Sequence, residues 1–80
     1  MILYATSWCG YCRKTRELLK SLDVKYLEKD IEKDAEGRKE YLAKGKGYQG
    51  VPLLDVGGVI VRGYSPEEIR RGLDRLQRGQ

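Results

Sequence analysis

Apolar positions along the chain follow two periods, and the changes between them mark its elements. Ile2-Leu3-Tyr4-Ala5 is a short apolar run closed by Thr6-Ser7, which predicts a buried strand over residues 2–6. Cys12, Thr15, Leu18, Leu19 and Leu22 then fall at helical spacing, with Arg13, Lys14, Arg16, Glu17 and Lys20 on the opposite side. That pattern predicts an amphipathic helix over 10–22, ended at an Asp23 turn. Val24 to Lys29 predicts a second strand. Asp34 then reads as the N-cap of a mostly charged helix reaching about Lys44, with Ala35, Tyr41 and Leu42 inside and Gly45 as its stop.

A glycine-rich loop, Gly45 to Gly50, leads into the run Val51-Pro52-Leu53-Leu54-Asp55-Val56. Gly57-Gly58 separates it from Val59-Ile60-Val61-Arg62, a hairpin signal. Ser65-Pro66-Glu67-Glu68 places Ser at the N-cap, Pro at N1 and Glu at N3 of a last helix, with Ile69, Leu73 and Leu76 as its inner stripe. The order βαβαββα predicts an α/β fold. The βαβ unit supplies a right-handed parallel pair and the hairpin extends it antiparallel, giving a four-stranded mixed sheet with helices on both faces.

Size narrows the picture to one domain spanning residues 1–80, with a single modest core. The charge of +4 comes from 16 basic and 12 acidic residues that are interspersed, so no nucleic-acid-binding arm is expected. Arg70, Arg71, Arg75 and Arg78 give the last helix a basic face, either solvated surface or a dock for an acidic partner. No apolar run approaches transmembrane length, and Met1 leads into the first strand without a basic leader. A cytoplasmic monomer, with no membrane contact, is expected.

The candidate chemistry lies in Trp8-Cys9-Gly10-Tyr11-Cys12, which holds the only two cysteines. A disulfide across two residues constrains little of the unfolded chain, so the pair is better explained by reactivity than by stability. A Cys-x-x-Cys pair at a strand-to-helix junction is the mark of a redox site. The first turn of a helix carries unpaired N–H groups and partial positive charge that stabilise a thiolate. Cys9 is the expected exposed nucleophile and Cys12, one turn inside, the resolving thiol. A buried structural dithiol or half a zinc site is the alternative. Zinc takes four ligands, and the chain has no His and no third Cys, so no metal site is expected. Arg13 stands where a c-type haem motif needs His.

These residues resemble the glutaredoxins, within the thioredoxin-like fold, over nearly the whole chain. Cys9-Gly10-Tyr11-Cys12 is similar to the family's Cys-Pro-Tyr-Cys, Val51-Pro52 to its Thr-Val-Pro, and Arg62-Gly63-Tyr64-Ser65 to its Gly-Gly-x-Asp. The resemblance implies a cis Val51–Pro52 bond facing the dithiol, with the Val51 backbone pairing to bound substrate like an added strand. Substrate contacts are expected from Val51 and Pro52, from Gly63 and Ser65 at the last helix start, and from the aromatic Trp8, Tyr11 and Tyr64; the alternatives are packing for the three aromatics, an ordinary trans strand opener for Pro52, a positive φ alone for Gly63 and the helix cap for Ser65. Thr6 replaces a lysine common in the family, and Ser65 and Pro66 replace acidic residues that grip the amino group of glutathione. Gly63-Tyr64-Ser65-Pro66-Glu67 is also similar to a segment of glutaredoxin-like reductants that take electrons from thioredoxin reductase.

The implied activity is thiol–disulfide oxidoreduction of protein disulfides, or of mixed disulfides with low-molecular-weight thiols, through Cys9 and Cys12. No tightly bound cofactor is implied; glutathione or another thiol is the co-substrate, or thioredoxin reductase the electron donor. The alternative is an iron–sulfur cluster carrier, because some glutaredoxins without proline in the motif share a cluster between two subunits through the first cysteine and glutathione.

Overall fold

The structure, a computed structural model, describes residues 1–78. Its elements follow the predicted order: β1 (Ile2–Ala5), α1 (Gly10–Ser21), β2 (Leu27–Asp30), α2 (Ala35–Gly45), β3 (Leu53–Val56), β4 (Val59–Arg62) and α3 (Pro66–Arg78). The strands form one sheet in the order β2-β1-β3-β4. β1 and β2 are parallel, and β3 is antiparallel to both β1 and β4. This is the expected four-stranded mixed sheet with three helices.

Alternation along the central strands divides the interior in two. Leu3, Ala5, Leu54, Val56 and Val61 point to one face and meet Cys12 and Leu19 of α1 and Ile69 and Leu73 of α3. Tyr4 and Leu53 point to the other face, where Ile31, just after β2, and Tyr41 of α2 cover them. A helix-bearing face on each side is what near-continuous apolar strands require.

Four expectations change. The second strand starts at Leu27 and not at Val24, because β1 begins at Ile2 and leaves residues 24–26 nothing to pair with; the Leu27 N–H reaches the Met1 carbonyl at 3.0 Å. Val24 and Tyr26 alternate inward only to pack beneath the α1–α3 face. The inner face of α2 is Gly37, Tyr41 and Gly45, while Ala35 is exposed and Leu42 is 53% exposed. A side chain at Gly37 would come within 3.1 Å of Lys29 and Asp34, so the helix approaches the sheet through its glycines. Gly45 is therefore the last helical residue, and the left-handed stop falls on Lys46 (φ 48°). The run written as a strand from Val51 begins its ladder at Leu53, because Pro52 has no N–H to give.

Other local signals hold. The Asp34 carboxylate accepts the Gly37 N–H at 3.0 Å as a helix cap. Gly57 and Gly58 both have positive φ in the hairpin turn, where a side chain would be strained, and Leu76 rests on Gly57 although it is 37% exposed. α3 starts at Pro66 as predicted. Among the described residues, however, neither the Ser65 hydroxyl nor the Glu68 carboxylate makes a hydrogen bond, so the reciprocal cap is not formed.

The α2 face holds a polar network. The Tyr4 hydroxyl donates to Glu40 at 2.8 Å and accepts from Lys44 at 2.6 Å; Lys29 pairs with Glu40 and Lys44 with Asp55. The Lys29 hydrogen bond, then that of Tyr4, holds the Glu40 carboxyl below its usual value. Burial pushes Asp55 up, but the Lys44 ammonium and the Gly58 N–H outweigh it and hold the carboxyl low. Depressed carboxylates contribute stability above their unfolded values, 3.8 for Asp55 and 4.5 for Glu40, and lose it as pH falls through the lower folded ones. Accordingly, the urea midpoint of the parent should fall between about pH 5 and about pH 2 more steeply than that of the Glu40→Gln, Asp55→Asn double variant. Parallel curves for the two proteins would remove this network from the acid sensitivity.

Candidate active site

After β1 the chain leaves the sheet through Thr6, Ser7 and Trp8, and Cys9 takes extended backbone angles (φ −80°, ψ 120°) as the N-cap of α1. Its Sγ accepts the Cys12 N–H at 3.2 Å, doing with sulfur what a capping serine or aspartate does with oxygen. No acidic residue in the first turn competes for the positive helix end. Facing it, the loop before β3 presents Val51, whose carbonyl accepts the Cys9 S–H at 3.6 Å. The Val51–Pro52 bond is cis. The Pro52 carbonyl accepts the Gly63 N–H at 2.8 Å, so the loop after β4, where Gly63 has φ +82°, steadies the loop before β3.

Both cysteines are free thiols. Cys9 was expected to stand exposed; it is 8% exposed, because its side chain turns back onto the helix end beneath Val51. Cys12 is fully buried among core residues. Burial first, and then a hydrogen bond and charge from Cys9, push the Cys12 thiol up to about 12; the Thr6 backbone and Arg16 only partly offset them. Cys12 therefore keeps its proton at neutral pH.

Aromatic residues border the pair. Trp8 is 69% exposed and its indole N–H donates to Glu32 at 3.0 Å. Tyr11 is 59% exposed and stacks with Tyr64, ring centroids 6.2 Å apart, with the Lys14 ammonium 5.4 Å from the Tyr11 ring centre. Thus Cys9, Cys12, Val51, Pro52 and Gly63 come together, Tyr11 and Tyr64 stack on each other, Ser65 directly precedes α3, and the Trp8 indole is held by Glu32.

The glutaredoxin family profile matches residues 1–61. The chain belongs to the glutaredoxin family. It is similar to an uncharacterized glutaredoxin-like 8.6 kDa protein in the rubredoxin operon of Clostridium pasteurianum, with 30% identity over 91% of this chain and 96% of that one. Among solved structures, the thioredoxin-like protein BC3987 superposes with a TM-score of 0.82 at 28% identity, over 89% of this chain and 96% of that one. A glutaredoxin from Archaeoglobus fulgidus gives 0.78 at 27% identity, over 90% and 83%. Family membership supports thiol–disulfide redox chemistry for this glutaredoxin.

Arg16 and Tyr48, absent from the sequence reading of the site, also border it, as does Thr6. Arg16 of α1 binds the Glu28 carboxylate with Nε and Nη2 at 2.6–2.8 Å and donates to the Thr6 carbonyl at 3.3 Å, tying the helix, the edge strand and the turn before Cys9 together. Thr6 is 3% exposed, and among the described residues its hydroxyl has no hydrogen-bond partner. Tyr48 lies over Gly50, just ahead of Val51. Arg16 reads from sequence as an outer-face charge, and Tyr48 as one aromatic in a glycine-rich loop. No signal in the chain links either to the sulfurs.

In the folded glutaredoxin at about pH 8, iodoacetamide should alkylate Cys9 and spare Cys12, which reacts after denaturation. Fragment-ion mapping of the labelled peptide tests this. Equal labelling of both in the folded protein would contradict the burial and the raised value assigned to Cys12.

Proposed function

We propose that the protein is a dithiol oxidoreductase that reduces protein disulfides, or mixed disulfides with low-molecular-weight thiols. The observation that carries this reading is the seat of the Cys9 sulfur, between the Cys12 N–H at 3.2 Å and the Val51 carbonyl at 3.6 Å, at a helix end that favours negative charge. In the first step the Cys9 thiolate attacks one sulfur of the substrate disulfide. That bond breaks, a Cys9–substrate disulfide forms, and the other substrate sulfur departs with the electron pair as a thiolate. Cys12 then gives up its proton and attacks the Cys9 sulfur. The second substrate thiolate leaves, and two electrons have passed to the substrate as the Cys9–Cys12 disulfide forms.

The raised value of Cys12 suits this order. Burial is its largest cause, but the hydrogen bond and charge of Cys9 add to it, and both vanish when Cys9 is consumed in the mixed disulfide. Cys12 thus becomes easier to ionise at the step that uses it. Val51 would align the substrate chain, with Pro52 and Gly63 fixing its loop and Trp8, Tyr11, Tyr64 and Ser65 bordering the groove. Glutathione, another small thiol or thioredoxin reductase returns the electrons, in the cytoplasm, to a monomer without a tightly bound cofactor. The cluster-carrier reading is not favoured: a shared cluster needs the Cys9 sulfur at a dimer surface, whereas that residue is 8% exposed and its sulfur already faces Cys12 and Val51.

Cys9→Ser should abolish all turnover, and Cys12→Ser should keep reduction of a glutathione mixed disulfide while losing protein-disulfide reduction. Assays coupled to glutathione with its reductase, and separately to thioredoxin reductase, identify the donor. Activity retained in Cys9→Ser would refute the assignment.

A further inference from the structure

The loop Gly47-Tyr48-Gln49-Gly50 carries a side chain that neither the fold nor the dithiol chemistry uses in full. The Tyr48 ring is half-buried against the α2 face of the core, beside Val51. Its hydroxyl reaches past that core to the segment that frames the site. A β-carbon placed on Gly50 would lie 2.6 Å from the Tyr48 hydroxyl oxygen, and one placed on Gly63 would lie 3.4 Å from it. Gly50 directly precedes Val51, and Gly63 holds the Pro52 carbonyl. The missing side chains of two glycines therefore leave the room that the phenol occupies. On its other side Gly50 is fixed by Tyr41, whose hydroxyl donates to the Gly50 carbonyl at 2.8 Å.

The two tyrosines differ in one respect. Tyr41 spends its hydroxyl inside the protein, whereas among the described residues the Tyr48 hydroxyl has no hydrogen-bond partner. The oxygen is not sealed in the interior: Tyr48, Gly50 and Gly63 are all partly buried, so the O–H stands at the edge of the groove with its donor uncommitted to the protein. The geometry points to Tyr48 as a specificity-determining residue of the proposed oxidoreductase, its hydroxyl donating a hydrogen bond to a peptide carbonyl of the disulfide-bearing chain bound along Val51. Burial, and then the charges of Cys9 and Cys12, raise the Tyr48 phenol above its ordinary value, against a smaller opposing effect of Arg62. The group is thus near enough to feel both sulfurs, and it stays protonated as a donor throughout the working pH range.

This inference rests on the oxidoreductase reading, and one set of assays separates the two. Prereduced protein is mixed with a cystine-bridged hexapeptide or with bis(2-hydroxyethyl) disulfide, which has no peptide carbonyl. A single turnover is followed by the fluorescence of Trp8, the only tryptophan in the chain. Tyr48→Phe keeps the ring in its cradle and removes only the oxygen. It should lower the reactivity ratio of peptide to small disulfide about ten-fold, through a higher half-saturating peptide concentration and with the thermal midpoint of the parent. Gly50→Ala, which forces the hydroxyl aside, should lower the same ratio. An unchanged ratio in Tyr48→Phe would overturn the role of the hydroxyl while leaving the dithiol chemistry standing. A parent protein that reacts with neither disulfide would overturn the oxidoreductase reading and this inference with it.

Discussion

Cys9 closes the amino end of α1 with its own sulfur, and the rest of the site is arranged around that bond. A helix start leaves several N–H groups without partners, and most helices satisfy one of them with an oxygen-bearing side chain. Here the Cys12 N–H points to Sγ at 3.2 Å, so the contact that starts the helix also fixes where the first sulfur sits. The need is strict in position: the capping residue must be extended, the next must enter the helix, and the second cysteine falls one turn later with its side chain in the core. The two-residue spacing of the pair is the spacing of a cap and the amide it serves.

The two faces of the sheet divide the labour around this bond. The α1–α3 face is apolar and buries Cys12 completely, and that burial is the largest cause pushing its thiol up. The α2 face is held by the Tyr4, Glu40, Lys44 and Asp55 network, and by a helix that comes close because Gly37 and Gly45 carry no side chains. That face also supports the loop that returns Val51 to Cys9. The chain thus packs a polar network behind one face of the sheet and the two sulfurs against the other, and both faces contribute to one candidate site.

Much of this is legible in the sequence. α1 and α3 carry regular apolar stripes, Gly57-Gly58 demands the turn that forms, and the cysteine spacing points to a helix start. What escaped has physical reasons. The start of β2 depends on where β1 begins, which residues 24–26 do not encode. The inner face of α2 is built partly by glycine, so hydropathy favoured Leu42, which faces water. Cys9 reads as exposed because a chain viewed alone cannot show Val51 covering it. Arg16 and Tyr48 meet the site only through partners far away in sequence, and neither leaves a periodic or spacing signal.

Arg16 has one more effect. It grips Glu28 on the outermost strand with one side of its guanidinium and the Thr6 carbonyl with an arm of the same group. Edge strands open more readily than central ones, usually at little cost to what lies inside. In this molecule the margin is fastened to the turn that leads into Cys9. Warming that loosens the rim would be felt at the turn before Cys9 early, while the middle of the sheet is still intact.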